Sequence, residues 1–190
     1  MTASTPTDDC EECGFAYTDL GVADVPAAIR AFARRFRAPL TRFLPGEDGD
    51  ALVRRRPAPE TWSALEYAAH VRDVFGNYER WVRQTLAEDR PALEGPGPDQ
   101  RAADGNYNEL DPVTVADELA ANAERLAATF ETVPDDGWER VGIRALPSGD
   151  EERSVLLSAR RAVHEGNHHL LDIGRGMRAV REQAKQAKEA

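Results

Sequence analysis

The sequence predicts an all-α protein, a four-helix bundle with a long loop between its second and third helices and a short hairpin before the fourth. Three observations predict it. Four segments place apolar residues three and four positions apart, the spacing that gives a helix one buried face. Each segment opens on a helix-start signal, and one long connection interrupts them, as in bundles with a crossover. The 190 residues suit one ordinary domain, and no internal repeat divides them.

The elements follow in order. Residues 1–22 read as a tail whose one feature is Cys10-Glu11-Glu12-Cys13-Gly14-Phe15. Asp24-Val25-Pro26 opens the first helix, with Asp as cap and Pro tolerated in the first turn. Ile29, Phe32, Phe36, Leu40 and Phe43 form its stripe, Pro39 should kink it, and Pro45-Gly46 ends it. Residues 46–60 read as a loop containing Arg54-Arg55-Arg56-Pro57. Ser63-Ala64-Leu65-Glu66 is a capping box for the second helix, and Trp62 with Tyr67 is spaced as a hydrophobic staple. Val71, Val74, Phe75, Tyr78, Trp81, Val82 and Leu86 make one face, with His70 at its edge. Residues 89–112 are the long connection. Asp111-Pro112 starts the third helix, whose stripe is Val115, Leu119, Ala123, Leu126 and Phe130, and Pro134 closes it. Trp138, Val141, Ile143 and Leu146 suggest a short extended hairpin before Pro147-Ser148-Gly149. Ser154 caps the fourth helix, which reaches about Gly174-Arg175-Gly176. The bundle therefore spans 23–178, and residues 179–190 are a second tail that extends the last helix or frays.

Composition excludes several classes. The chain is 41% hydrophobic and 31% charged, a globular balance, and no stretch approaches the roughly 20 apolar residues of a spanning helix. Its net charge of −10 disfavours nucleic acid and anionic membrane as partners. The polar, acidic N-terminus does not read as a secretory signal. Two cysteines are too few for a disulfide scaffold, so a reducing, cytoplasmic setting is expected.

Chemistry concentrates in the four histidines, His70, His164, His168 and His169. The fourth helix carries two overlapping pairs four residues apart, His164 with His168 and Glu165 with His169. With His164 at zero and about 100° per residue, Val155, Ala159, Val163, Leu170, Ile173 and Met177 centre near 220°, Glu165/His169 near 120° and His164/His168 near 20°. The Glu165/His169 pair thus flanks the buried stripe, where bundle sites are built. His70 supplies a third ligand, and two nitrogens plus one carboxylate leave a position open on Zn²⁺, as in catalytic sites. Ni²⁺ or Fe²⁺ would have further open positions. Asp172 stands one turn beyond His168 and His169, placed to orient an imidazole. His70 alone would more ordinarily be a packed histidine.

Two stretches resemble a family. Thr61-Trp62-Ser63-Ala64-Leu65-Glu66-Tyr67-Ala68-Ala69-His70-Val71 is similar to the second-helix motif of the DinB-like superfamily, and His164-Glu165-Gly166-Asn167-His168-His169-Leu170-Leu171-Asp172-Ile173 to its fourth-helix motif. The resemblance covers about residues 24–178. It implies a bundle holding one divalent metal through His70, Glu165 and His169. Most members have His where this chain has Glu165, whereas the related mycothiol-dependent maleylpyruvate isomerases resemble it in using Glu. It implies further a thiol-dependent transferase or isomerase whose partners are a small-molecule thiol, mycothiol first, and an electrophile. His168 and His164 are then runner-up ligands or proton-transfer groups. A non-enzymatic metal-binding or stress-response protein and a metal-dependent hydrolase are the alternatives.

Other signals have competing readings. His164-Glu165-Gly166-Asn167-His168 matches the zincin pattern, but His70 would go unexplained and no third-ligand motif follows. Cys10-x-x-Cys13-Gly14 resembles half of a zinc knuckle, a redox pair, or a tail without function. A knuckle needs two more ligands, from a second subunit in a homodimer or from His164 or His168. Arg54 and Arg56 could receive an acidic substrate or the carboxylates of a thiol cofactor, although a charge run is more often a solvated face. Trp62 and Trp138 are pocket candidates that packing explains equally well.

Overall fold

The computed structural model describes residues 9–95, 98–146 and 149–189. The leading segment read as too polar for a signal, Met1–Asp9, lies outside them except for its last residue, and so do Pro147 and Ser148. Four long helices form the bundle: α1 (Val25–Thr41), α3 (Ala64–Ala87), α5 (Pro112–Glu131) and α6 (Val155–Glu189). Two short helices fill the connections, α2 (Gly49–Arg54) and α4 (Pro98–Asp104). Each of α1 and α3 packs against both α5 and α6. The first two long helices, α1 and α3, therefore sit across a diagonal and touch only slightly. This arrangement puts α3 beside α6, which is what brings His70 to the histidines of the last helix.

The core follows the stripes. Ile29, Phe32, Phe36 and Leu40 of α1, Leu65, Val71 and Phe75 of α3, Leu119, Leu126 and Phe130 of α5, and Val163 and Ile173 of α6 are buried together. Three predicted caps hold: Ser63 Oγ accepts from the Glu66 N–H while Glu66 accepts from the Ser63 N–H, Asp111 caps α5, and Ser154 Oγ accepts from Leu157 N–H; Asp24 precedes α1 as expected, but its backbone is already helical and its side chain makes no cap.

Four segments differ from their sequence reading. Helix α1 runs through Pro39 to Thr41, because a proline in the last turn removes only one backbone bond and Arg42 N–H still reaches Ala38 O. The 46–60 loop contains α2, opened by an Asp48 cap. The long connection contains α4 and a single 3₁₀ turn, Tyr107–Glu109. Helix α6 passes Gly174 and Gly176 without a break and ends at Glu189. An interior glycine costs about 1 kcal/mol against alanine, and this one is followed by good helix formers and by buried Met177 and Val180. The expected hairpin is present as β1 (Val141–Arg144) and β2 (Glu151–Ser154), paired antiparallel. Its outer edge is stitched to the long connection by Leu93 N–H to Ile143 O and Ile143 N–H to Pro91 O, both 2.7 Å.

The N-terminal segment is packed rather than free. Gly14 N–H bonds Cys10 O at 2.7 Å and Cys10 N–H bonds Phe15 O at 2.9 Å, closing a tight turn in which Gly14 takes φ 69°. Tyr17 is buried against α6 and meets His164 Nδ1 at 2.9 Å.

Candidate metal centre

Helix α3 begins with a buried carboxylate, Glu66, paired with the exposed Arg56. Glu66, one turn before His70, receives Arg56 at 2.5 and 2.8 Å as well as the Ser63 N–H. Burial would raise the Glu66 carboxyl, but Arg56 and Ser63 hold it below its ordinary range. The result is a fixed first turn and a fixed phase for His70.

His70, Glu165 and His169 converge. His70 Nε2 lies 3.3 Å and His169 Nε2 3.2 Å from the same carboxylate oxygen, Glu165 Oε2. One donor atom from each side chain lies within 4.8 Å of the other two. Each imidazole is held from behind. Trp62 packs on His70 with ring centres 5.3 Å apart, and Tyr67 stacks on His169 at 5.2 Å. The staple pair, 5.5 Å apart, thus also braces the two histidines. His169 Nδ1 meets Asp172 Oδ2 at 2.9 Å, which fixes the tautomer that leaves Nε2 free for the site.

The electrostatics suit a cation. Burial would raise the Glu165 carboxyl, but hydrogen bonds with His169 and then His70 outweigh it and hold the group well below the usual carboxylate range. Burial would lower His169, but Asp172 and Glu165 raise it to about 9. Two imidazole nitrogens and one carboxylate oxygen, converging at these distances, are a donor set that fits Zn²⁺ or a similar divalent ion with positions to spare.

The triad opens onto a cavity of about 380 Å³. Trp62, Val74, Tyr78 and Trp81 form its apolar walls, and Arg101, Arg144, Arg153 and Arg161 reach it from α4, the hairpin and α6. Arg153 and Arg161 share Glu151, with bonds of 2.5 and 2.6 Å. Arg144 donates to Leu93 O and Gly95 O. Arg101 Nε is buried and has no hydrogen-bond partner among the described residues. The four arginines are scattered through the sequence and no motif flags them. The only available signal was the hairpin itself, two of whose residues are Arg144 and Arg153.

The other sequence candidates lie elsewhere. Arg54 is tied to Asp50 and to the carbonyls of Asn108 and Leu110, and Arg56 to Glu66, so neither lines this cavity. Trp138 stacks on Phe130 in the core. His164 and His168 form a second cluster with Cys10 and Cys13, in which one donor atom of each residue lies within 4.8 Å of the others. No helix among the described residues is long and apolar enough to cross a membrane.

A helical bundle with a His/Glu/His triad between its second and fourth long helices defines a class of metal-site bundles. Residues 23–173 match the DinB superfamily model, and the chain belongs to that superfamily. YfiT from Bacillus subtilis, described as a probable metal-dependent hydrolase with an unusual four-helix bundle topology, superposes with a TM-score of 0.74 at 14% identity, covering 93% of each chain. A mycothiol-dependent maleylpyruvate isomerase superposes with a TM-score of 0.60 at 15% identity, covering 83% of this chain and 62% of the isomerase. A single-residue mutant of that isomerase gives a TM-score of 0.63 at 13% identity, with the same coverage. No curated protein matches the chain.

Proposed function

We propose that the protein is a metal-dependent enzyme that joins or isomerises an anionic small electrophile through a low-molecular-weight thiol of the mycothiol type. The observation that carries this reading is one cavity holding both an incompletely filled donor triad and four arginines. His70, Glu165 and His169 would hold the metal, zinc first and nickel or iron as alternatives. When bound, the metal lowers the pKa of a thiol placed in its open position, so that thiolate is available near neutral pH. Asp172 keeps His169 in the tautomer that can ligate. Trp62, Tyr78 and Trp81 exclude water around the reacting atoms, while Arg101, Arg144, Arg153 and Arg161 receive and orient carboxylates. These four would take the anion-binding role in place of Arg54 and Arg56, because they line the cavity beside the triad and Arg54 and Arg56 do not.

The same open position could accept water, and the similarity to a probable metal-dependent hydrolase over 93% of each chain favours keeping hydrolysis as the second reading. One experiment separates them. The zinc-loaded protein is assayed with mycothiol, bacillithiol and glutathione against monochlorobimane and a carboxylate-bearing electrophile, and against anionic esters without thiol. The expected result is thiol-dependent turnover, abolished in His169→Ala together with one equivalent of metal. Turnover of esters without thiol would establish the hydrolase. Absence of both, in protein shown to contain metal at the triad, would leave a non-enzymatic metal-binding protein.

A further inference from the structure

We propose that Cys10, Cys13, His164 and His168 form a second, structural metal site that clamps the N-terminal segment onto α6 with a tetrahedral Zn²⁺.

Four observations support it. The first is the donor set. Two thiols and two imidazoles place one donor atom each within 4.8 Å of one another, and all four come from one chain, so no second subunit is required. Two thiolates also balance the charge of Zn²⁺, as in Cys₂His₂ sites.

The second is a distance. Zn–S and Zn–N bonds of about 2.3 and 2.05 Å at a tetrahedral angle separate sulfur from nitrogen by about 3.6 Å. Cys10 Sγ and His168 Nδ1 are 3.5 Å apart.

The third is an unpaired atom. His164 Nε2 is buried with no hydrogen-bond partner among the described residues, while its Nδ1 meets Tyr17 Oη at 2.9 Å. A buried polar atom without a partner is costly, and a metal ligand is the resolution the neighbouring sulfurs suggest. With Nε2 on the metal, Nδ1–H donates to the Tyr17 oxygen. His168 uses the opposite nitrogen. Its Nδ1 meets Cys10 and its Nε2 lies 3.7 Å from Asp172 Oδ2, a carboxylate behind the ligand.

The fourth is the loop. The Cys10-x-x-Cys13-Gly14 turn is closed by its own backbone bonds and by the positive φ of Gly14.

Four protein ligands fill a tetrahedral ion, so the site is closed to substrate and its role is to hold residues 9–17 on α6 behind Glu165 and His169. Metal replaces the thiol protons on binding, and no oxidation is involved.

Cobalt(II) provides the test. The metal-free full-length protein is titrated with Co²⁺, and zinc per chain is counted by mass spectrometry on protein grown with zinc. The expected result is thiolate-to-cobalt charge-transfer absorption with tetrahedral ligand-field bands in the wild type. The same bands persist in His70→Ala, which affects only the triad. They are lost in Cys10→Ser/Cys13→Ser, which contains one zinc fewer per chain. His168→Asn keeps both thiols and the turn, so it tests the same ligation should the double cysteine variant fail to fold, and its charge-transfer band should change in intensity and energy. Absence of charge transfer in the wild type, a zinc count indifferent to both variants, or a Cys10–Cys13 disulfide without thiolate-bound metal in anaerobically purified protein would each overturn the proposal.

Discussion

Helix α6 carries two four-residue pairs one position out of phase, and they meet different company. Glu165 and His169 turn toward α3, where His70 alone joins them on the edge of a cavity. His164 and His168 turn toward the N-terminal segment, where Cys10 and Cys13 join them. A shift of one residue rotates a side chain by about 100°, enough to send neighbouring pairs to different partners. The helix itself does not decide whether a site is open or closed. The number of ligands on the partner element decides it: one from α3, two from the CxxC turn. Between the two, Asp172 Oδ2 lies 2.9 Å from His169 Nδ1 and 3.7 Å from His168 Nε2, so one carboxylate backs both.

That shared carboxylate gives the largest expected effect. Asp172→Asn retains the shape but loses the charge that fixes both imidazoles. Outer partners of this kind typically contribute about 10–100-fold in metal affinity. The triad should weaken within that range and the cysteine cluster less, because its contact is the longer one. Competition with a chromogenic chelator reads the two affinities separately. Equal weakening of both would contradict the idea that distance to Asp172 distinguishes them.

A second change acts between the pairs. Gly166 faces Phe32 of α1 so closely that a Cβ there would come within 2.5 Å of the ring. Phe32 is buried and cannot yield freely. Gly166→Ala should therefore destabilise the protein by about 1–3 kcal/mol, the usual cost of overpacking. By lifting α6 from α1 it should also loosen both clusters together. Urea unfolding and metal titration of the variant measure the two consequences, and an unchanged unfolding midpoint would show that α1 can retreat without cost.

Much of this was legible in the residues. The capping box at Ser63, the staple of Trp62 and Tyr67, and the α6 stripe gave the bundle and the phase of the helices, and from the phase came the preference for Glu165 with His169. Those signals are local, so they survive in a sequence. The cavity wall was not legible, because Arg101, Arg144, Arg153 and Arg161 gather only when α4, the hairpin and α6 meet in space. The same holds for the CxxC turn. Its two missing ligands would lie more than 150 residues away, brought near by contacts such as those of Phe15 and Tyr17 with His164. Whether α6 stops near Gly174 and Gly176 or continues was open for the opposite reason, since burial of Met177 and Val180 overrides a weak local stop signal.

The smallest effect concerns protons and separates the two regions by pH. In metal-free protein His169 is raised from 6.5 to about 9, mainly by Asp172 and Glu165 overcoming burial. A raised histidine contributes stability that is complete below its unfolded value and is lost as pH rises through its folded value. That contribution should therefore fade between about pH 6.5 and 9. Glu165 is lowered, so its share is present above the ordinary carboxylate range and is lost only in strong acid. Metal at the triad takes the place of the His169 proton and should remove the alkaline decline. Thermal melts of the chelated protein at pH 6 and pH 9, repeated with zinc restored, check this. The chelated protein should melt lower at pH 9 than at pH 6, and zinc should narrow the gap. His169→Ala should lose most of the chelated protein's pH dependence, while His168→Asn should keep it. A decline that followed His168 instead would assign the titrating group to the closed cluster and reverse the comparison.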